Sequence, residues 1–144
     1  MVDARTALTA GLQRAALFVN APPEAINALS STSVQRNWVH GELVFDSGDK
    51  SDGFYILLDG QIRLSLTTEN GSELTIRDVG GGDIFGEMGA LDGGPRSAGA
   101  RTFSARATTG FVSAAHFATI LRAHPALLLD IAIKLSLRLR ETTE

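Results

Sequence analysis

Cysteine is absent from the 144-residue chain, which excludes disulfides, thiolate zinc sites and cysteine nucleophiles. Aromatic residues are sparse at 6%, with a single tryptophan and a single tyrosine; Trp38 is read as packing on a strand. Long apolar runs are missing as well, since stretches such as Leu127-Leu128-Leu129 are far too short to cross a bilayer. The N-terminus shows no signal-type apolar block, so a cytoplasmic chain with no membrane association is expected. Nor is positive charge in excess. Thirteen Lys and Arg stand against 16 Asp and Glu, for a net charge of −3. A phosphate-neutralising face is therefore not expected, and no nucleic acid is assigned to this chain alone.

What is present suits one compact unit. Hydrophobic residues make up 44% and charged residues 20% of the chain, near the average for a globular protein. A chain of this size buries roughly two thirds of its surface on folding, enough for one core.

The hydrophobic period changes twice along the chain. Residues 3 to 19 carry Ala7, Leu8, Leu12, Ala15, Ala16 and Val19 at helical spacing. Pro22-Pro23 interrupts that pattern, and a short helix restarts at Glu24 with Ile26 and Leu29 inward. From Val34 the period becomes two. Gln61 to Leu66 and Leu74 to Arg77 alternate strictly, and Asn70-Gly71 between them marks a hairpin because both residues accept positive φ. Glycines at 41, 48, 53, 60 and 80–82 punctuate strands at spacings that suit a small barrel or jelly roll. After Pro125, near-alternation competes with strong helix formers, and the length and composition favour a helix. That helix carries two apolar stripes: Leu128, Ile131, Ala132, Leu135 and Leu139, and separately Leu129, Ile133 and Leu137. One stripe docks on the barrel, and the other calls for a second copy, so a homodimer through the C-terminal helix is expected. The longer stripe, close to a coiled-coil spacing, is read as the dimer seam, with the reverse assignment as its alternative.

The most informative stretch runs from Gly82 to Ala98. Its glycines let backbone approach a ligand closely, and a short helix starting near Glu87 would aim free N–H groups at an anion. Arg96 offers a planar fork for two phosphate oxygens, Ser97 a neutral donor beside it, and Glu87 an acceptor for a sugar hydroxyl. Together they describe a site for one phosphate joined to one ribose. The alternative is a glycine-rich surface loop in which Arg96 pairs with an acid such as Glu87 or Asp92.

The sequence resembles the cyclic nucleotide-binding domain, the module of the bacterial catabolite activator protein, of protein kinase A regulatory subunits and of cyclic nucleotide-gated channels. The resemblance runs through Ala16-Leu17-Phe18, Gly41 to Phe45, Asp46 to Gly53, Phe54 to Gly60 and Gly82 to Glu87. Phe85-Gly86-Glu87-Met88 followed by Pro95-Arg96-Ser97-Ala98 is similar to the family's phosphate-binding cassette. The resemblance implies a mostly β fold with flanking helices, a double-stranded β-helix (jelly-roll) barrel. A single domain over 1–144 would place N-terminal helices at 1–30, the barrel at 34–113 with the cassette at 84–98, and C-terminal helices at 114–144, with no DNA-binding domain. It further implies that Glu87 holds the ribose 2′-hydroxyl, that Arg96 and Ser97 hold the cyclic phosphate, and that Gly86 completes the cradle. Phe85, Met88, Gly89 and Ala98 would complete the ligand-binding set, and Thr142 and Thr143 would present hydroxyls to adenine. The ligand expected is cAMP, with cGMP as the alternative, and no metal.

Other constellations carry less. Asp46, Asp49 and Asp52 are spaced by three, which does not fit an EF-hand loop, and are read as a turn. His40, His116 and His124 are dispersed, and Ser97 does not sit in a nucleophile elbow. No catalytic set emerges. The expectation is a stand-alone regulatory sensor of signal transduction that shifts its C-terminal helix on binding and acts on an unknown effector protein. Its alternatives are the sensory part of a transcription regulator and a ligand-free dimerisation module.

Overall fold

The computed structural model describes residues 8–12, 15 and 18–143, with only the backbone of Thr142 and Thr143. Helical residues 8–12 (α1) and α2 (Pro23–Thr32) precede eight strands: β1 (Val34–Val39), β2 (Leu43–Phe45), β3 (Gly53–Asp59), β4 (Ile62–Thr67), β5 (Glu73–Val79), β6 (Ile84–Phe85), β7 (Gly99–Thr102) and β8 (Arg106–Ser113). The short helix α3 (Glu87–Asp92) lies between β6 and β7, and α4 (Ala114–Ala123) and α5 (Pro125–Thr143) close the chain.

The strands form two antiparallel four-stranded sheets, ordered β1-β8-β3-β6 and β2-β7-β4-β5. This is the jelly-roll arrangement expected, in which sequence-distant strands become neighbours. Strand β3 shows why its sequence does not alternate. Phe54 and Ile56 face a core under the helices, while Tyr55 and Leu57 face a second core between the sheets. Both faces are covered, so an unbroken apolar run is what the position demands. The core under the helices gathers Leu12, Phe18, Ile26, Leu29, Phe117, Leu127 and Ile131 against the first sheet.

Several expectations change in detail. The helix expected over 3–19 falls partly outside the described residues; where described, it covers 8–12, and Val19 lies exposed in a turn. The β4–β5 hairpin forms, but only Gly71 takes positive φ. Thr68 N–H bonds Ser72 O at 2.7 Å and closes a loop longer than the expected tight turn.

In α5 the two stripes are redistributed. Leu127 and Ile131 are buried and Leu135 packs against the same core, whereas Leu128 and Leu139 stand exposed with Leu129, Ile133 and Leu137. The expected seam of Leu128, Ile131, Leu135 and Leu139 is therefore split: Ile131 and Leu135 hold the helix to the barrel. The 127–131–135 spacing of four is the straight-helix row that meets a flat surface, and it displaced the coiled-coil reading.

Candidate functional site

The site is set by the turn from β6 into α3. Gly86 caps α3 with φ of 77°, a left-handed conformation that glycine adopts without strain. A Cβ at this position would lie 2.5 Å from Arg96 Nη1, so the backbone must stay bare for the guanidinium to come in. Arg96 is held by its own backbone too: its N–H bonds Asp49 O at 2.8 Å, and its carbonyl accepts from Gly48 N–H at 2.8 Å. Its guanidinium donates to Gly86 O at 2.9 Å and to Asp52 Oδ1 at 3.0 Å, and its face lies 4.2 Å from the Phe45 ring.

Arg96 is 4% exposed, yet its Nε is buried without a hydrogen-bond partner among the described residues. A buried charged donor left unpaired is costly. An arginine kept in that state is poised for an anion that completes its bonding.

Glu87, 8% exposed, begins α3 and accepts from Arg138 Nη1 of α5 at 3.3 Å. Arg96 thus pairs with neither Glu87 nor Asp92, the acids considered for a merely structural arginine. It takes the exposed Asp52 of the β2–β3 loop instead.

These groups line an open cleft of about 200 Å³. Gly86, Glu87, Met88 and Gly89 line it from the β6–α3 turn, and Arg96, Ser97 and Ala98 from the segment before β7. Phe45 and Leu64 from the second sheet, Ile76 and Arg77 from β5, and Arg138 from α5 complete it. The cassette residues are thus brought together, with one exception. Phe85 is fully buried, stacks on Tyr55 at 5.3 Å between ring centroids and does not line the cleft. Strand alternation turns it inward, because its neighbour Ile84 faces the other core. Thr142 and Thr143 lie at the end of α5, and their side chains fall outside the described residues. Asp46 and Asp49 flank a turn in which Asp49 Oδ2 accepts from Asp46 N–H at 2.9 Å, whereas Asp52, expected in the same turn, lies beyond it just before β3 and pairs with Arg96. Among the described residues no cluster of His, Cys, Asp and Glu could hold a metal ion, and no helix is long and apolar enough to cross a membrane.

Residues 35–124 match the family model for the cyclic nucleotide-binding domain. The chain belongs to the cyclic nucleotide-binding domain family. Among relatives of this domain, it is 32% identical over 93 residues to a CRP-like cAMP-activated global transcriptional regulator of Mycobacterium tuberculosis, covering 65% of this chain and 42% of that one. It is 33% identical over 125 residues to the Cyclic AMP receptor protein of Thermus thermophilus, covering 87% of this chain and 57% of the relative. The chain thus spans about half the length of these relatives. The sensor domain of the transcriptional regulator DNR from Pseudomonas aeruginosa shares the fold, with a TM-score of 0.85, 24% identity and coverage of 96% of this chain and 93% of that one.

Sequence reasoning missed Asp52, Arg138, Phe45, Leu64, Ile76 and Arg77. Asp52 was visible only as one acid of a turn, and no signal in the sequence assigned Arg138 a role of its own. Their convergence on the cassette is a product of folding.

Proposed function

We propose that this chain is a regulatory sensor that binds a purine 3′,5′-cyclic mononucleotide in the cleft, without a catalytic step. The observation that carries the reading is the buried, unpartnered Nε of Arg96 beside a glycine that only a bare backbone could supply. Arg96 and Ser97 take the cyclic phosphate, and Glu87 accepts the ribose hydroxyl. cAMP is named in the relatives, and cGMP presents the same phosphate and ribose, so this part of the cleft serves both.

Binding reaches α5 through Glu87. A ribose hydroxyl on Glu87 shares the carboxylate that Arg138 contacts at 3.3 Å, so the ligand alters the link between cassette and helix. The population of α5 positions then shifts by as much as the ligand's affinity differs between them. The exposed row Leu129, Ile133 and Leu137, each at least half exposed, suits a second copy packing on α5. A soluble, cytoplasmic homodimer acting on an effector protein is the form proposed. The names of the relatives favour, as a second reading, the sensory part of a longer transcriptional regulator.

Calorimetry with cAMP and cGMP tests the reading. Arg96→Ala should cost about 2–5 kcal/mol, on the order of thirty- to several-thousand-fold in affinity. Binding within about threefold of the unmodified chain would remove Arg96 from the site.

A further inference from the structure

Sulfur chemistry has few places in this chain. Cysteine is absent, and of the two methionines only Met88 lies among the described residues. Met88 is 56% exposed on α3, directly after Glu87. A thioether this open to solvent is within reach of a diffusing oxidant.

Its surroundings give that exposure a consequence. Met88 lines the nucleotide cleft, and it also lines a groove of about 370 Å³ with Leu91, Asp92, Leu135, Arg138 and Leu139. Met88 and Arg138 are the two residues that line both. Leu91 and Leu135 pack against the core under the helices, so the groove is a largely apolar seam between the cassette helix α3 and α5.

We propose that Met88 is an oxidation site through which a hydroperoxide weakens the seating of α3 on α5 and, with it, nucleotide binding. The thioether sulfur attacks the hydroxyl oxygen of the peroxide. The S–O bond forms as the O–O bond breaks, and sulfur gives up the two electrons that reduce the peroxide. The proton on the transferred oxygen passes to the other oxygen, which leaves as water or an alcohol. The product, methionine sulfoxide, carries a polar acceptor oxygen where an apolar side chain stood. Against the seam that oxygen is either stripped of water or holds the seam open to it, and both loosen the contact. The loss of affinity rests on the cyclic nucleotide reading; the oxidation and its effect on stability do not.

Hydrogen peroxide treatment of the full chain, followed by peptide mass spectrometry, melting curves and calorimetry with cAMP, tests the proposal. Met88 should gain one oxygen, Tm should fall, and cAMP should bind about tenfold more weakly. The methionine sulfoxide reductases that act on the two sulfoxide epimers should together restore both values. Met88→Leu keeps a similar volume without the sulfur. Whatever its own Tm and affinity, neither should change on treatment.

A Met88 that stays unoxidised at doses that oxidise other side chains overturns the proposal. So does a fully oxidised Met88 in a chain that keeps its Tm or its cAMP affinity, or a Met88→Leu chain that loses as much on treatment, the last meaning damage elsewhere. A chain whose Tm falls and recovers as stated, but which binds no nucleotide before or after treatment, would uphold the oxidation site and overturn the cyclic nucleotide reading instead.

Discussion

Gly89→Ala isolates how the cassette helix is seated. Alanine is the better helix former by about 1 kcal/mol, so on local grounds the change should stabilise α3. The packing opposes it. The added Cβ would fall 2.3 Å from both Cβ and Oγ of Ser51 and 2.9 Å from Gly94 O. Ser51 Cβ cannot swing away on a rotamer, and Ser51 is itself buried, so α3 must lift or the β2–β3 loop must move. Overpacking of this kind costs about 1–3 kcal/mol. The difference leaves a net loss on the order of 1 kcal/mol, or about 2–4 °C in Tm for a chain of this size. Because α3 carries Glu87 and the β2–β3 loop carries Asp52, the same shift spreads the ribose and phosphate groups and weakens nucleotide binding. Ser51→Gly in the Gly89→Ala background removes both atoms at 2.3 Å. It should restore most of the lost Tm and affinity, although alone it costs about 0.5–1 kcal/mol in chain entropy. Melting curves and calorimetry on the four chains form a double-mutant cycle whose coupling should favour the pair. A Gly89→Ala chain that melts at or above the parent with unchanged affinity, or losses that simply add, would refute the seating of α3 on Ser51.

Two further outcomes are expected. Burial raises the pKa of Tyr55, with the Arg36 guanidinium opposing the rise. A raised folded value contributes stability that is complete below the unfolded pKa and is lost as pH climbs through the folded one. Because Tyr55 is the single tyrosine, the tyrosinate absorbance should appear only above pH about 10, and titration at or below that pH would contradict the burial. In α5, Leu135→Glu places a charge against the core and should lower Tm strongly, while Ile133→Glu should leave folding intact and dissociate a dimer. Sedimentation and melting of both chains decide this. An unmodified chain that is monomeric at micromolar concentration with and without nucleotide would defeat the dimer.

Much of this molecule was legible along the chain. The helix–strand–helix order follows from hydrophobic period together with, after Pro125, helix-forming composition, and the cassette follows from Gly86, Glu87, Arg96 and Ser97, because the groups that a phosphate and a ribose call for lie close together in this stretch of sequence. Local chemistry of this kind survives folding unchanged. The hairpin between β4 and β5 was equally local, apart from the length of its loop.

The sequence by itself determined the order of helices and strands, the cassette and the helical nature of α5, since each rests on residues near one another in the chain. Only the tertiary structure decided which face of α5 is buried, because Leu127 and Leu128 are equally apolar and the barrel surface selects between them. It also decided that Phe85 faces the core, that Arg96 rests on Asp52 across 44 residues and that Arg138 reaches Glu87 across 51. Such pairings depend on where two sheets and a helix converge, and no period or spacing within a single segment encodes that meeting point.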